Sequence, residues 1–270
     1  MLNAYYGELI AISTTLSWSL CVFPFTEASR RLGPNATNIL RLLLAVLLLS
    51  VAAIFTSSLT FAGLFTTPNL ENWLWLGLSG IVGLALGDYL GFTMYAILGT
   101  RIGSIFTTMS PGVALFLGFF LLNETINYIG IIGIFITVGG IIWLTLSKNE
   151  KAKIPDLGHG KIERGILFGI LAALCQGVGL VFAKKGLSSP VDGQTLNAIH
   201  ATWIRMIAAT IAILANTVIR KQGKDLYSII KLNNQNGVFF VVLGTIFGPV
   251  VGVSLSLYTI SLIEGGVAQT

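Results

Sequence analysis

Asp88 is a lone acid in the middle of an apolar stretch that runs from Gly80 to Glu124. Glycines surround it at helical spacing, at positions 80, 83, 87 and 91. An ionisable side chain is costly in hydrocarbon, so where one occurs it usually faces the protein interior or an aqueous pathway. Such a carboxylate can pair with a cation, contact a polar substrate or bind a proton. Asp88 is therefore the first candidate functional residue.

Two arginines lie inside apolar runs, Arg41 about one turn into its run and Arg205 at a similar place in a later one. The sequence favours snorkelling of Arg41 to the membrane interface, and it leaves open that Arg41 lines a pathway. If both arginines point inward, they would suit a carboxylate or a phosphate. Another alternative pairs Arg41 with Asp88 in a buried ion pair that is purely structural. The sequence does not decide among these roles.

Polar and aromatic residues on predicted helix faces supply the remaining candidates. Gly91, Phe92 and Tyr95 follow Asp88 at i+3, i+4 and i+7, so the four residues share one face. In the first apolar run, a polar stripe faces either a cavity or a neighbouring helix; it consists of Ser13, Ser17, Cys21 and Pro24. The predicted pathway residues are Asp88, Arg41, Arg205, Trp18, Tyr89, Tyr95, Ser17, Thr107, Pro111 and Gln176.

Some of these candidates have a specific expected role. Trp18, Tyr89 and Tyr95 could pack against the apolar part of a substrate. Pro111 cannot donate a backbone hydrogen bond, so it either kinks its helix or leaves a free carbonyl on a cavity. His200 is expected at the membrane interface, near the end of its apolar run.

The composition indicates that the helices of a membrane protein position these candidate residues. Of 270 residues, 54% are hydrophobic and 10% charged, whereas soluble domains carry about 25% charged residues. Eight apolar runs reach about the 20 residues that cross a bilayer as a helix: 7–26, 36–56, 72–98, 102–122, 126–146, 165–183, 196–219 and 237–262. Long continuous runs favour helices over the short alternating strands of a barrel. We predict an all-α integral membrane protein, a multi-pass bundle in the lipid bilayer of the cell membrane.

Several functional classes are disfavoured. Cys21 and Cys175 both lie inside apolar runs, so no disulfide framework, metal site or cofactor is expected. The net charge of +5 is carried mostly by loops and predicts topology rather than nucleic-acid binding. An integral-membrane enzyme would need clustered acids or a metal motif, but the 11 acids are scattered.

The second part of the chain repeats the first. Arg41 and Gly83 are 42 residues apart, and Arg205 and Gly248 are 43 apart. The other matched pairs are Gly7 with Gly165, Gly87 with Gly252, Tyr95 with Tyr258, Gly103 with Gly266, and Thr107 with Thr270. We predict a first repeat at 1–147 with five spans, a charged linker at 148–164, and a second repeat at 165–270. The second repeat stops opposite Thr107, so we expect it to lack about two helices, which would leave eight spans and the start of a ninth.

Five spans per repeat is an odd number, so the second repeat enters the membrane from the opposite side. Loops after odd-numbered spans carry twelve Lys and Arg residues, and loops after even-numbered spans carry two, Lys184 and Lys185. The positive-inside rule then predicts that the N-terminus lies outside the cell.

The chain resembles the EamA-like ten-helix members of the drug/metabolite transporter superfamily. The resemblance rests on the duplicated plan, Arg41 and Arg205, the run Gly87-Asp88-Tyr89-Leu90-Gly91-Phe92, and Ser110-Pro111 followed by Leu121-Leu122-Asn123-Glu124. It implies a secondary transporter with a cavity between two repeats, lined by the first four helices of each. Many members of that family keep both termini in the cytoplasm, whereas the charge count of this chain predicts the reverse.

We therefore expect a transporter or exporter that moves a small-molecule substrate by alternating access, with Asp88 contacting substrate or responding to an ion. A coupling proton or cation and a homodimer are left open, as are the substrate and the direction of transport. The alternatives are a membrane scaffold or receptor-like protein and, with less support, an integral-membrane enzyme.

Overall fold

The computed structural model describes residues 6–57, 60–122, 128–146, 158–189, 196–221 and 235–262. Within these ranges every regular element is helical. The α-helices are α1 (Tyr6–Leu32), α2 (Pro34–Ser57), α3 (Gly63–Thr66), α4 (Leu70–Ser79), α5 (Asp88–Thr107), α6 (Met109–Leu122), α7 (Tyr128–Leu146), α8 (Ile162–Ser188), α9 (Ala198–Ile219), α10 (Gln235–Thr245) and α11 (Ser254–Leu262). Two π-helices complete the order, Gly80–Gly87 between α4 and α5 and Ile246–Val253 between α10 and α11.

Six of the helical stretches in these ranges are long and apolar enough to cross a membrane: Leu9–Leu32, Pro34–Phe55, Leu70–Leu122, Ile162–Ser188, Ala198–Ile219 and Asn236–Tyr258. A shorter apolar helix covers Tyr128–Trp143. These elements confirm the prediction of a polytopic, all-helical membrane protein. The predicted linker at 148–164 and the matched residues Gly266 and Thr270 lie mostly or wholly outside the described residues.

The stretch Leu70–Leu122 has 53 residues, which is too long for one crossing, because a helix rises 1.5 Å per residue and the hydrocarbon core is about 30 Å thick. It is interrupted at Gly99, whose φ of 78° and ψ of 173° are not helical. Glycine adopts this positive φ without the steric penalty of a side chain. The side chain of Arg30 stabilises the break, since its Nε donates a hydrogen bond to the Ala96 carbonyl at 3.2 Å.

Glycine contacts along α8 show the direction of the segment before Gly99. Gly169 packs against Met94, and further along α8 Gly186 packs against Leu76. Residue numbers increase along α8 while they decrease along the segment that α8 contacts. Helix α8 therefore runs antiparallel to the segment from α4 to Leu98.

The same helix runs parallel to the segment after Gly99. Gly169 also packs against Phe106, and Gly177 packs against Val113. Because both sets of positions increase together, the chain must turn back between the two segments. The boundary predicted between the runs 72–98 and 102–122 coincides with this reversal.

Helix α1 is related in the same way to the end of the chain. Leu32 packs against Gly237, and Trp18 lies beside Gly252, 3.5 Å from its ideal Cβ position. The first long helix of the chain is therefore antiparallel to the segment formed by α10, the second π-helix and α11.

The first long helices of the two parts run in opposite directions. Phe25 of α1 contacts Phe92 of α5 with 4.9 Å between ring centroids, and Arg30 contacts Ala96, so α1 is parallel to α5. Since α8 is antiparallel to that segment, α1 and α8 are opposed. We call residues 6–146 the N-terminal half and residues 158–262 the C-terminal half. This opposition is the arrangement expected of inverted repeats.

Each half contains one π-helix of eight residues in its third long helical segment. The first begins at Gly80 and the second at Ile246, within one residue of the register that matches Gly83 to Gly248. In both halves the π-helix ends directly before a buried polar residue, Asp88 or Ser254. π-helical segments are rare and often occur at functional sites, so these two positions direct attention to the interior between the halves.

Candidate functional site between the two halves

Asp88 is the first residue of α5 and is 8% exposed. Its backbone N–H donates to the Gly83 carbonyl five residues earlier, as the wider π turn requires. The α5 face predicted from the sequence is also observed, because Asp88, Gly91, Phe92 and Tyr95 are all buried. The π turn and this face together point the carboxylate into the interior of the bundle.

Arg41 forms a buried ion pair with Asp88, in which its Nη2 donates to Asp88 Oδ2. The side chain is 1% exposed, and Nη2 also donates to Asn38 Oδ1 at 3.1 Å and to the Leu84 carbonyl at 3.4 Å. The favoured prediction that Arg41 snorkels to the interface is therefore wrong. Helix α2 places this face against the first π-helix, so the guanidinium reaches a carboxylate instead of the membrane surface. The ion pair proposed as an alternative is present.

Two aromatic rings cover the Arg41 guanidinium. Its centre lies 5.8 Å from the ring centroid of Phe25 and 5.3 Å from that of Phe92. A cation over an aromatic face is attracted by the ring quadrupole, and the attraction grows where water is excluded. The rings thus stabilise the cation and keep the ion pair in an apolar environment.

Gln176 reaches Asp88 from the C-terminal half. Its Nε2 donates to Asp88 Oδ1 and, at 3.2 Å, to the Gly83 carbonyl. The carboxylate is therefore held by a cation of its own half and by an amide of the opposite half. Gln176 was predicted as a pathway residue, and the structure brings it to Asp88.

Side chains also satisfy the carbonyls of the first π-helix. Asn38 donates through Nδ2 to Leu84 at 3.2 Å and to Ala85 at 2.9 Å. Buried carbonyls need such partners in a membrane. Sequence reasoning missed Asn38, although its position three residues before Arg41 places the two on one helix face.

We call Arg41, Asp88 and Arg205 the charged cluster. Arg205 lies on α9 and is 3% exposed. It interacts electrostatically with both Asp88 and Arg41, and its Nη2 lies 3.9 Å from the ideal Cβ position of Gly83. Among the described residues it has neither an ion-pair partner nor a side-chain hydrogen bond, and its Nε is buried without a partner. Arg205 is thus an inward-facing cation next to an acid that is already paired.

The corresponding region of the C-terminal half carries neutral polar groups. Trp18 donates through Nε1 to Ser256 Oγ at 3.3 Å, and the Ser17 hydroxyl donates to the Phe247 carbonyl in the second π-helix. The Ser254 hydroxyl is buried without a partner among the described residues. The predicted residues Trp18 and Ser17 therefore line the contact between the halves. The other stripe residues Cys21 and Pro24 are buried, but Ser13 is exposed.

Three further predicted residues lie around the turn at Gly99 and after it. Tyr95 is 7% exposed and its ring packs on Gly103, across the reversal, whereas Thr107 is exposed and its hydroxyl donates to the Ser104 carbonyl at 2.7 Å. Pro111 follows a turn at Thr108 between α5 and α6. Because Pro111 has no N–H for the Thr107 carbonyl, the helix is interrupted there, as the kink alternative predicted.

Two predicted residues stay apart from the cluster. Tyr89 follows Asp88 and is half-buried, and among the described residues its side chain forms no hydrogen bond or ring contact with Asp88, Arg41 or Gln176. His200 is 1% exposed, and its Nε2 lies 2.8 Å from the Leu64 carbonyl. His200 lies near the start of α9, at the end of its apolar run as expected, and α3 covers it there.

The fold and this site define a multi-pass helical membrane protein with a charged cluster between two oppositely directed halves. The sequence model of the EamA-like transporter family matches residues 5–146 and again 163–270. The chain therefore belongs to the EamA-like transporter family, which confirms the resemblance and the assignment as a membrane transporter. A search of curated proteins found no match for this chain.

Proposed function

We propose that the protein is a secondary transporter that moves a small molecule across the cell membrane by alternating access between its two halves. The opposed directions of α1 and α8 support this mechanism, because inverted repeats can exchange conformations about a central site. The corresponding positions of the two π-helices support the division into two repeats in the same way.

The observation that carries the proposal is the position of Asp88 between the halves. Arg41 belongs to the same half as Asp88, whereas Gln176 belongs to the other. A rocking motion of one half against the other would preserve the Arg41 pair and separate Gln176 from Asp88 Oδ1. A polar substrate group, or a coupling proton or cation, would then take the place of the Gln176 amide.

The packing at this contact suits such a motion. The backbones of Gly83 and Gly179 meet directly, since an ideal Cβ on Gly179 would lie 3.0 Å from the Gly83 Cα. Small residues allow helices in membranes to approach closely, and without interlocking side chains the two surfaces can slide.

The test separates a transport role of Asp88 from the structural alternative. Asp88→Asn alone leaves Arg41 buried without its counter-charge, so lost flux could reflect misfolding. The double variant Arg41→Gln/Asp88→Asn removes both charges and should fold. We expect purified double variant to melt close to wild type, yet to show flux in proteoliposomes reduced about tenfold or more, the effect of a lost charge-assisted hydrogen bond.

Substrate for this assay comes from an uptake screen with a mixed metabolite library and wild-type protein. Glu71→Gln is the matched control, because Glu71 is an acid at the start of α4 that accepts a hydrogen bond from Ser189 and lies far along the chain from Asp88. Wild-type flux in the double variant would show that the ion pair is only structural. Wild-type protein that moves no member of the library would favour the scaffold or receptor alternative.

We also propose that the N-terminus lies outside the cell. Supporting this, Arg30 contacts Ala96 and Gly160 packs on Ile97, so cations near the end of α1, the reversal inside α5 and the start of α8 share one end of the bundle. Lys185 lies at the opposite end, over the Trp75 ring at 4.0 Å. A Leu2→Cys variant should react with an impermeant maleimide in intact cells; labelling only after lysis would reverse the orientation.

A further inference from the structure

We propose that Arg205 binds the carboxylate of a monoanionic organic substrate, within the site assigned above to transport. This inference rests on the proposed function and adds the substrate class to it. Three observations on the described residues carry it: the charge of the cluster, the hydrogen-bonding state of Arg205, and its place between the halves.

The first observation is an excess of one positive charge. Arg41, Asp88 and Arg205 interact with one another, and Asp88 is the acid that they share. Its carboxylate is engaged by Arg41 through Nη2 and by Gln176 through Oδ1. A buried charge is strongly destabilising without a counter-charge, so one added negative charge is the complement of this cluster.

The second observation distinguishes the two arginines. Arg41 also has a buried Nε without a partner, but its charge is balanced by Asp88. Arg205 lacks an ion pair and a side-chain hydrogen bond among the described residues, and its Nε is buried as well. A guanidinium offers parallel N–H donors that match the two oxygens of a carboxylate. No side-chain hydrogen bond engages these donors of Arg205 among the described residues.

The third observation is that Arg205 is positioned by the opposite half. Its carbonyl lies 2.1 Å from the ideal Cβ position of Gly80, so α9 passes directly against the first π-helix. The guanidinium extends along that π-helix to Gly83, whose carbonyl also accepts from Gln176. A bound carboxylate would therefore lie beside the Gln176–Asp88 contact that the proposed motion opens.

The charge balance favours a carboxylate over a phosphate monoester. One carboxylate neutralises the cluster, whereas a doubly charged phosphate or dicarboxylate would leave a buried negative charge. The proposed ligand is accordingly a small molecule with one carboxylate, and the remainder of the molecule would face the neutral groups contributed by Trp18 and Ser256.

Matched ligands test this on the purified full chain in detergent, by melting followed through tryptophan fluorescence at constant ionic strength. The pairs are acetate with acetamide, lactate with lactamide, and benzoate with benzamide; succinate and inorganic phosphate serve as dianions. We expect a saturable increase in melting temperature for the carboxylate of at least one pair, and none for its amide. Equal shifts within every pair, or stronger stabilisation by the dianions, would overturn the proposal.

Variants then locate the site. Arg205→Gln should weaken binding of the stabilising carboxylate about 10- to 100-fold, the loss of a charge-assisted hydrogen bond. Arg220→Gln is the control, because Arg220 is an exposed cation at the end of the same helix. Unchanged binding in Arg205→Gln would place the carboxylate elsewhere. If that variant does not fold, Arg205→Lys keeps the charge and should retain weaker binding, and the matched ligand pairs decide without any variant.

Flux assays separate this inference from the proposed function. Flux of an uncharged or cationic metabolite without any carboxylate-specific stabilisation would remove the Arg205 assignment and leave the transporter in place. The opposite result is carboxylate binding that depends on Arg205 without flux of any carboxylate of the panel. It would support the Arg205 binding site and contradict the transport function.

Discussion

Arg41 and Arg205 occupy matching positions in the two halves, yet their surroundings differ. Arg41 meets Asp88, the residue that follows the first π-helix, and is covered by Phe25 and Phe92. In the C-terminal half the residue after the π-helix is Ser254, a neutral side chain whose hydroxyl has no partner among the described residues. One half thus contains a neutralised ion pair, and the other contributes an uncompensated cation.

The difference shows how a duplicated frame can acquire a single polar site. Opposed repeats place two equivalent helix contacts near one another, where each half supplies a long helix to the third segment of the other. A carboxylate at one of these contacts attracts Arg41 and Gln176, whereas the equivalent contact is closed by Trp18 and Ser256. The charged groups are concentrated at the contact around Asp88, in the N-terminal half. The contact between Trp18 and Ser256, in the C-terminal half, carries neutral groups and supports it.

Removal of each arginine in turn should produce the largest contrast. Arg41→Gln leaves Asp88 buried with an amide partner only, so the free energy of unfolding should fall by about 3–5 kcal/mol. Arg205→Gln removes a buried cation that has no acid of its own, so the free energy of unfolding should not fall and is expected to rise. Both can be measured by SDS-induced unfolding in mixed micelles.

The double variant Arg41→Gln/Asp88→Asn is the control for this contrast, because it removes both charges and should recover most of the lost stability. Equal losses in Arg41→Gln and Arg205→Gln would mean that the two halves are electrostatically alike, and the asymmetry described above would fail.

A smaller effect is expected at the start of the π-helices. An alanine at Gly80 would place its Cβ 2.1 Å from the Arg205 carbonyl, so α9 must shift, and we expect a loss of about 1–3 kcal/mol despite the better helix propensity of alanine. The second π-helix begins instead with Ile246, whose side chain is 41% exposed. A backbone contact at the first residue is therefore observed for the first π-helix and not for the second.

Gly133→Ala is the matched control, since Gly133 lies in α7 with no atom within 4 Å of its ideal Cβ position. It should be neutral or slightly stabilising. Equal melting temperatures of the Gly80→Ala and Gly133→Ala proteins would show that α9 has room to move. They would contradict the inference that the first π-helix fixes the position of Arg205.

Much of the fold follows from sequence, because apolar runs of membrane length and helical glycine spacing are local signals. The reversal near Gly99 fell between two predicted runs, and the opposed halves followed from an odd number of spans per repeat. The π-helices were not predictable, since they arise from packing between helices and have no periodicity of their own.

The site was only partly predictable for a related reason. A lone acid and two arginines in apolar runs were visible as candidates, and Gln176 was among the polar positions selected. Which arginine pairs with Asp88 depends on the rotation of α2 and α9 about their axes, a tertiary property. Snorkelling was favoured for Arg41 because depth was judged from sequence position alone, whereas α2 turns this residue inward.

The smallest effect is predicted at the neutral contact of the C-terminal half. Trp18→Phe keeps an aromatic ring beside Gly252 but removes the hydrogen bond to Ser256, which should cost about 0.5–1.5 kcal/mol. Gln176→Met at the charged contact removes a hydrogen bond to a carboxylate and should cost about 1.5–3 kcal/mol. The ratio of the two losses in SDS unfolding measures the difference between the contacts, because each variant removes one side-chain donor that reaches across the halves. If Trp18→Phe proved the more damaging, the Trp18–Ser256 contact would hold the halves together more strongly than the Gln176–Asp88 contact, which would contradict the expected order of the two contacts.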